Sequence, residues 1–251
     1  MRRVSLSSLL LLTVLVAGAA GQVVQIEGKR IRTDKPGWAG EVSASAQFVK
    51  NRNDVTDIGT SLHLQFKTGR SLWLILNTLD FIRAGRTDFE NRGYQHVRYN
   101  YKVRDWFTWE AFIQAQYDKP LHLDFRGLVG TGPRFKVFAT PKARLYAAAL
   151  VMYEREDLTG GLPTQRDVRL TSYLSFTIEP NQQFRLVSTT YYQPRVDAFR
   201  DRRVASDSTF SAGITEKLSV FASVNVLYDA RPPAGVVTTS YTLKNGLAYR
   251  F

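Results

Sequence analysis

Cysteine does not occur in the 251 residues. That excludes a disulfide framework, a thiolate metal site, a thiol nucleophile and a lipid-carrying cysteine. There is no Walker loop, no metal-ligand cluster and no dinucleotide fingerprint. Gly130-x-Gly132 lies inside a strand pattern with no helix after it, which excludes a phosphate cradle. The chain also has no apolar run of the roughly 20 residues that a membrane-spanning helix needs. A closed β-barrel is therefore the one route left across a bilayer.

The residues present point the same way. The chain is 44% hydrophobic and 12% aromatic with a mean hydropathy of -0.23, too polar for a helical membrane protein and too aromatic for a disordered one. Arg2 and Arg3, the apolar stretch Leu9 to Val16 and the small residues Ala17 to Gly21 have the layout of a secretory signal peptide. The expected organisation is a cleaved signal over 1–21, a polar periplasmic lead-in over 22–38 and an outer-membrane β-barrel over 39–251. Losing Arg2 and Arg3 leaves 32 basic against 22 acidic residues, so the net charge falls from +12 to +10. These charges are scattered singly, and export carries the chain away from nucleic acid. The expected uses of the charge are a basic lumen or loops facing anionic lipopolysaccharide.

Alternation at period two runs through the chain. Phe107, Trp109, Ala111, Ile113, Ala115 and Tyr117 form an apolar stripe. Thr108, Glu110, Gln114 and Gln116 lie opposite, with Phe112 out of character. Leu218, Val220, Ala222, Val224, Val226 and Tyr228 repeat the pattern, whereas Ser71 to Ile82 is apolar on both faces. Gly130, Gly132 and Pro133 predict a bulge or bend before Phe135 to Phe138. Longer charged connections are expected at Arg83–Gly93, Glu154–Asp167 and Pro194–Arg203, alternating with short turns such as Lys67-Thr68-Gly69-Arg70. About twelve strands result, an even number, as in an antiparallel up-and-down transmembrane barrel with short periplasmic turns and long outer loops. A soluble β-sandwich would alternate as well, but its stripes would point inward. The closing segment Val236 to Phe251 resembles the C-terminal strand of bacterial outer-membrane barrels. That resemblance implies that the assembly machinery recognises Tyr249 and Phe251.

Between Tyr94 and Tyr153 the chain shows Tyr99-x-Tyr101, Tyr117-Asp118, Asp124-x-Arg126 and then Gly127-Leu128-Val129-Gly130-Thr131-Gly132-Pro133-Arg134-Phe135. This stretch resembles the salt-stress-induced outer-membrane protein family, whose domain is of unknown function. Pro133 stands where that family commonly has tyrosine in Gly-x-Gly-Tyr-Arg. The resemblance implies a barrel and brings no mechanism.

Catalysis is not expected. A serine hydrolase needs Ser, His and an orienting group within hydrogen-bond reach. His63, with Ser61 on the same face, His96 and His122 are the only histidines. Glu154 and Glu156-Asp157, the acidic residues that an omptin-like protease would require, have no neighbouring histidine in sequence. No cofactor or metal is expected. Inward parity assigns Arg98, Glu110, Gln114, Asp124, Arg126, Arg169 and Lys244 to the lumen. Two functions stand open: a narrow channel for small solutes biased toward anions, or a non-conducting envelope-integrity or surface protein whose basic loops bind lipopolysaccharide. Expected partners are outer-membrane lipid, lipopolysaccharide and the assembly machinery.

Overall fold

The computed structural model describes residues 36–50, 54–181, 183–215 and 218–249. The expected signal peptide, most of the lead-in and Phe251 lie outside these residues. Twelve strands follow one another: β1 (Gly37–Val49), β2 (Val55–Thr68), β3 (Ser71–Ala84), β4 (Thr87–Lys102), β5 (Phe107–Asp118), β6 (Leu123–Ala139), β7 (Ala143–Leu158), β8 (Gln165–Ile178), β9 (Phe184–Pro194), β10 (Arg202–Gly213), β11 (Leu218–Asp229) and β12 (Thr239–Tyr249). Each pairs with the next in one sheet of order β1 to β12, the antiparallel up-and-down arrangement and strand number predicted from the sequence. The described sheet is open, with β1 and β12 as its edges.

From β2 to β10 one face of this single sheet is buried although no second layer covers it. Leu74, His96, Arg98, Glu110, Gln114, Leu128, Met152, Arg169 and Tyr191 are all at least 98% shielded. Only curvature of the sheet over itself achieves this. Strands three apart in a flat sheet are separated by about 14 Å. Here the Tyr173 hydroxyl on β8 donates to Glu110 on β5 at 2.8 Å. The opposite, convex face exposes Trp73, Trp109, Ile113, Val129, Val151, Leu174, Phe210 and Val220. Polar and charged groups are inside and large apolar groups outside, the reverse of a soluble sandwich. Aromatic pairs gather where the short turns lie: Trp38–Phe66 at 4.7 Å, Trp73–Tyr99 at 4.5 Å, Phe107–Phe135 at 5.6 Å and Phe184–Phe210 at 6.2 Å between ring centroids.

Several expected boundaries are corrected. Arg83–Gly93 is not a long loop: β3 and β4 continue through it and meet at a turn over 85–86, where Gly85 takes φ 61°. Likewise Glu154 and Glu156 belong to β7, not to a loop. No bulge occurs at Gly130–Pro133. The β6–β7 register runs unshifted from Thr131↔Val151 to Arg134↔Ala148, and the shifts fall instead at Leu123/Phe125 and Lys136/Phe138. Gly132 serves close approach, since a Cβ there would lie 2.3 Å from the Ala149 carbonyl oxygen. The two-faced apolar pattern of β3 resolves with Leu72, Leu74 and Leu76 inward and Trp73 outward. Phe112 is inward as well, in a core with Leu128, Leu150, Met152, Tyr173 and Tyr191.

Candidate functional site

The concave face is built in three tiers. At the end carrying the longer connections, Glu154 on β7 receives three guanidinium groups: Arg126 of β6 at 2.8 Å, Arg169 of β8 at 2.7 Å and Arg203 of β10 at 2.6 Å. Glu156, two residues on and so on the same face, meets Arg126 at 2.8 Å and Arg203 at 3.2 Å. Arg203 also holds Asp229 at 2.8 Å. Arg169 holds Asp201 at 3.1 Å and donates to the Gln193 carbonyl at 3.2 Å. The connection after β9 is drawn into the same network, because Arg195 bridges Asp167, Asp197 and Asp201 at 3.4, 2.7 and 3.4 Å. Asp197, outside the strands, has its carboxyl held below the usual range, chiefly by the hydrogen bond from Arg195.

The middle tier centres on Glu110. It accepts from Tyr173, pairs with Arg98 at 3.3 Å and is approached by Arg134 at 3.7 Å. Arg98 donates from Nε to His96 Nε2 at 3.3 Å and lies 5.0 Å from the Phe112 ring centroid. Nδ1 of the same histidine lies 2.9 Å from Gln114 Oε1. With Nε2 accepting, Nδ1 is the donor, which describes a neutral imidazole held by two neighbours. Gln114 in turn donates to Gln116. Buried ionised groups persist only when so paired. Among the described residues the buried charges number five arginines (98, 126, 134, 169, 203) and five carboxylates (Glu110, Asp118, Glu154, Glu156, Asp201), so they balance.

The third tier lies at the short-turn end and is not balanced. A cavity of about 420 Å³ opens there, its wall carrying seven cationic side chains and one carboxylate, Asp105. Lys67 on β2, Lys102 on β4, Lys136 on β6, Arg144 on β7 and Arg185 on β9 each stand at the strand end nearest the turns, and Arg70 comes from the β2–β3 turn. The seventh, Arg134, lies with its guanidinium 3.8 Å from the Tyr146 ring centroid. Asp105 reports how closely these charges converge. Its carboxyl is held below the usual range first by the hydrogen bond from Lys102, with Lys136 and Arg70 pulling the same way. Glu179, just outside the wall, is shared by Arg144 at 2.9 Å and Arg185 at 2.8 Å.

Residues 34–251 match the family described as "Protein of unknown function, DUF481". The chain belongs to this family. A search of the curated proteins returned no match. Among solved structures, this DUF481 chain is similar to a NanC porin (13% identity, 85% of this chain and 100% of the other, TM-score 0.48). It is also similar to a bacterial polysaccharide outer membrane secretin (10%, 84% and 80%, 0.45) and to Pseudomonas aeruginosa OccK11 (OpdR) (9%, 84% and 79%, 0.38).

Of the lumen candidates in this DUF481 chain, Arg98, Glu110 and Gln114 come together in the middle tier, and Arg126 and Arg169 meet in the ionic tier. Asp124 does not join them. The register shift between Leu123 and Phe125 inverts the parity before Arg126, turning Leu123 inward and leaving Asp124 exposed and paired with Lys119. The backbone of Lys244 stands opposite Ser223, and Tyr249, the last residue of β12, stands opposite Leu218. His63 and His96 lie on the concave face, whereas His122 caps an exposed 3₁₀ turn (Lys119–Leu121) at φ 57°. Among the described residues no three His, Asp or Glu side chains converge to hold a metal ion. Glu154, Glu156, Asp201 and Arg203 were missed as interior residues. The available clue was that Glu154 and Glu156 keep the two-residue spacing of Ala148, Leu150 and Met152.

Proposed function

We propose that this protein is an integral outer-membrane β-barrel, closed by pairing of β1 with β12, acting as a narrow channel for small solutes with a preference for anions. The observation that carries the reading is the inversion of the sheet, with exposed Trp109, Ile113 and Val220 outside and a hydrogen-bonded polar lining inside. Strands of 11 to 17 residues meet or exceed the roughly 9–11 that a tilted transmembrane strand needs. The excess extends the wall beyond the bilayer, where the ionic tier and the basic cavity flank the passage. Because the deep interior is balanced, any anion preference originates at the cationic mouth rather than at Arg98, Arg126 and Arg169.

The second reading is a non-conducting envelope-integrity or surface protein binding lipopolysaccharide. It is favoured by the way Glu154, Arg126, Arg169 and Arg203 fill one end of the interior. Purified protein in planar bilayers separates the two. Steady conductance steps with an anion-biased reversal potential in a salt gradient support the channel. A silent membrane after verified insertion replaces it with the second reading.

In both readings the protein is exported through a cleaved signal over 1–21, carries no catalytic centre and is assembled by recognition of Tyr249 and Phe251. The family resemblance adds induction by salt stress, testable by transcript level in high-salt medium.

A further inference from the structure

The cavity at the short-turn end has a wall that is expensive to keep. Seven cations share a space of about 420 Å³ with Asp105 as the one carboxylate of the wall. Like charges held together destabilise the folded chain. Proteins that break a local rule of this kind do so at sites where a ligand uses it. The charges are not neighbours in sequence. They come from five strands and one turn, and the up-and-down topology brings them to one mouth. Four of the seven do reach a carboxylate, Lys102 at Asp105, Arg134 at Glu110, and Arg144 and Arg185 both at Glu179, but three carboxylates among seven cations leave the mouth with a net positive charge, whereas the buried charges deeper in are matched one to one.

We infer that this cavity is a binding site for a compact, soluble polyanion, a solute carrying two or more phosphate or carboxylate groups. Guanidinium forks match such oxyanions bidentately, while the ammonium groups of Lys67, Lys102 and Lys136 add point charges around them. The volume falls within the roughly 300–1,000 Å³ typical of small-molecule pockets. The rest of the wall suits a ligand with a polar body: Trp106 stands at the rim, Tyr146 holds Arg134 against its ring, and Ser71, Asn100 and Thr108 add polar groups. The inference deepens the channel reading by naming a solute class, and it rests on that reading only for how the solute arrives. Because the cavity lies on the concave face, away from exposed Trp73 and Trp109, a dissolved anion fits it better than the headgroup of a bilayer lipid.

The test uses the full chain in detergent micelles, at constant ionic strength, titrated with inorganic pyrophosphate. Calorimetry and the fluorescence of Trp106, with Trp106→Phe as the spectroscopic control, should report one saturable site. The paired substitution Arg70→Gln with Lys136→Gln should weaken it at least tenfold, with an unchanged far-ultraviolet circular dichroism spectrum. Single substitutions serve if the double variant does not fold. Sodium acetate at the same ionic strength should not compete. Absence of a saturable signal at millimolar pyrophosphate, equal competition by acetate, or undiminished binding by the variants would each overturn the inference. Lipopolysaccharide added to the micelles should leave pyrophosphate binding intact; if it binds through Arg70 and Lys136 and excludes pyrophosphate, the site is a lipid site and the inference fails. Since no membrane is involved, a barrel that never conducts leaves the inference standing, and a conducting barrel without this site sinks it alone.

Discussion

Arg203 on β10 donates to Glu154 on β7 at 2.6 Å, reaching across two intervening strands. Glu154 is the one carboxylate shared by Arg126, Arg169 and Arg203, so its removal leaves three guanidinium groups with a partner lost. Breaking a buried pair from one side costs about 3–5 kcal/mol. Glu154→Gln should lower the denaturant midpoint of the folded protein in detergent by a corresponding amount. Asp124→Asn, which breaks only the exposed pair with Lys119, should leave the midpoint where it was. Equal effects of the two substitutions would mean that the ionic tier does not hold the sheet.

Ile113 and Gln114 are adjacent on β5 and point to opposite faces, one exposed and one buried. If the convex face touches lipid, Ile113→Arg should cost about 2–4 kcal/mol near the bilayer midplane. Folding yield into phosphatidylcholine vesicles measures it, with Ile113→Leu as the control. A variant that folds as well as the parent, or a parent that stays folded and monomeric without detergent, removes the membrane from the account.

Gly132 and Gly127 lie on the same strand but differ in what surrounds them. A Cβ at Gly132 would meet backbone atoms of Ala149 and Leu150 at 2.3 and 2.7 Å, which cannot move without parting β6 from β7. At Gly127 the nearest atom is the Phe125 ring, at 3.1 Å. Gly132→Ala should therefore destabilise by about 1–3 kcal/mol, and Gly127→Ala distinctly less. Equilibrium unfolding in detergent ranks them, and the reverse order would contradict the β6–β7 register.

Asp197 is charged against Arg195 in the connection after β9, and its carboxyl titrates below the ordinary 3.8. A depressed carboxyl contributes stability that is fully present above its unfolded value and is lost as pH falls through the folded one. The connection should thus stay docked in mild acid and loosen only below the usual carboxylate range. Carbon-13 chemical shifts of the Asp197 carboxyl follow this directly, and Arg195→Gln should return the midpoint toward 3.8.

The parts of this protein that were readable from its sequence are those governed by the alternation of side chains along a strand. The stripes of β5 and β11, the strand number and the placement of Arg98, Glu110 and Gln114 on one face follow from a period of two and nothing more distant. What misled was charge. Glu154, Glu156 and Arg203 look like loop residues by composition, but a sheet with its polar face inside uses such residues as its core. Asp124 was misplaced by a single register shift, which reverses every side chain before it and leaves no mark in composition. Only the curvature of the whole sheet could decide that Glu154 has three arginine partners, or that cations from β2, β4, β6, β7 and β9 face one cavity. Those meetings depend on strands folded against one another across the sheet, and local periodicity carries no information about them.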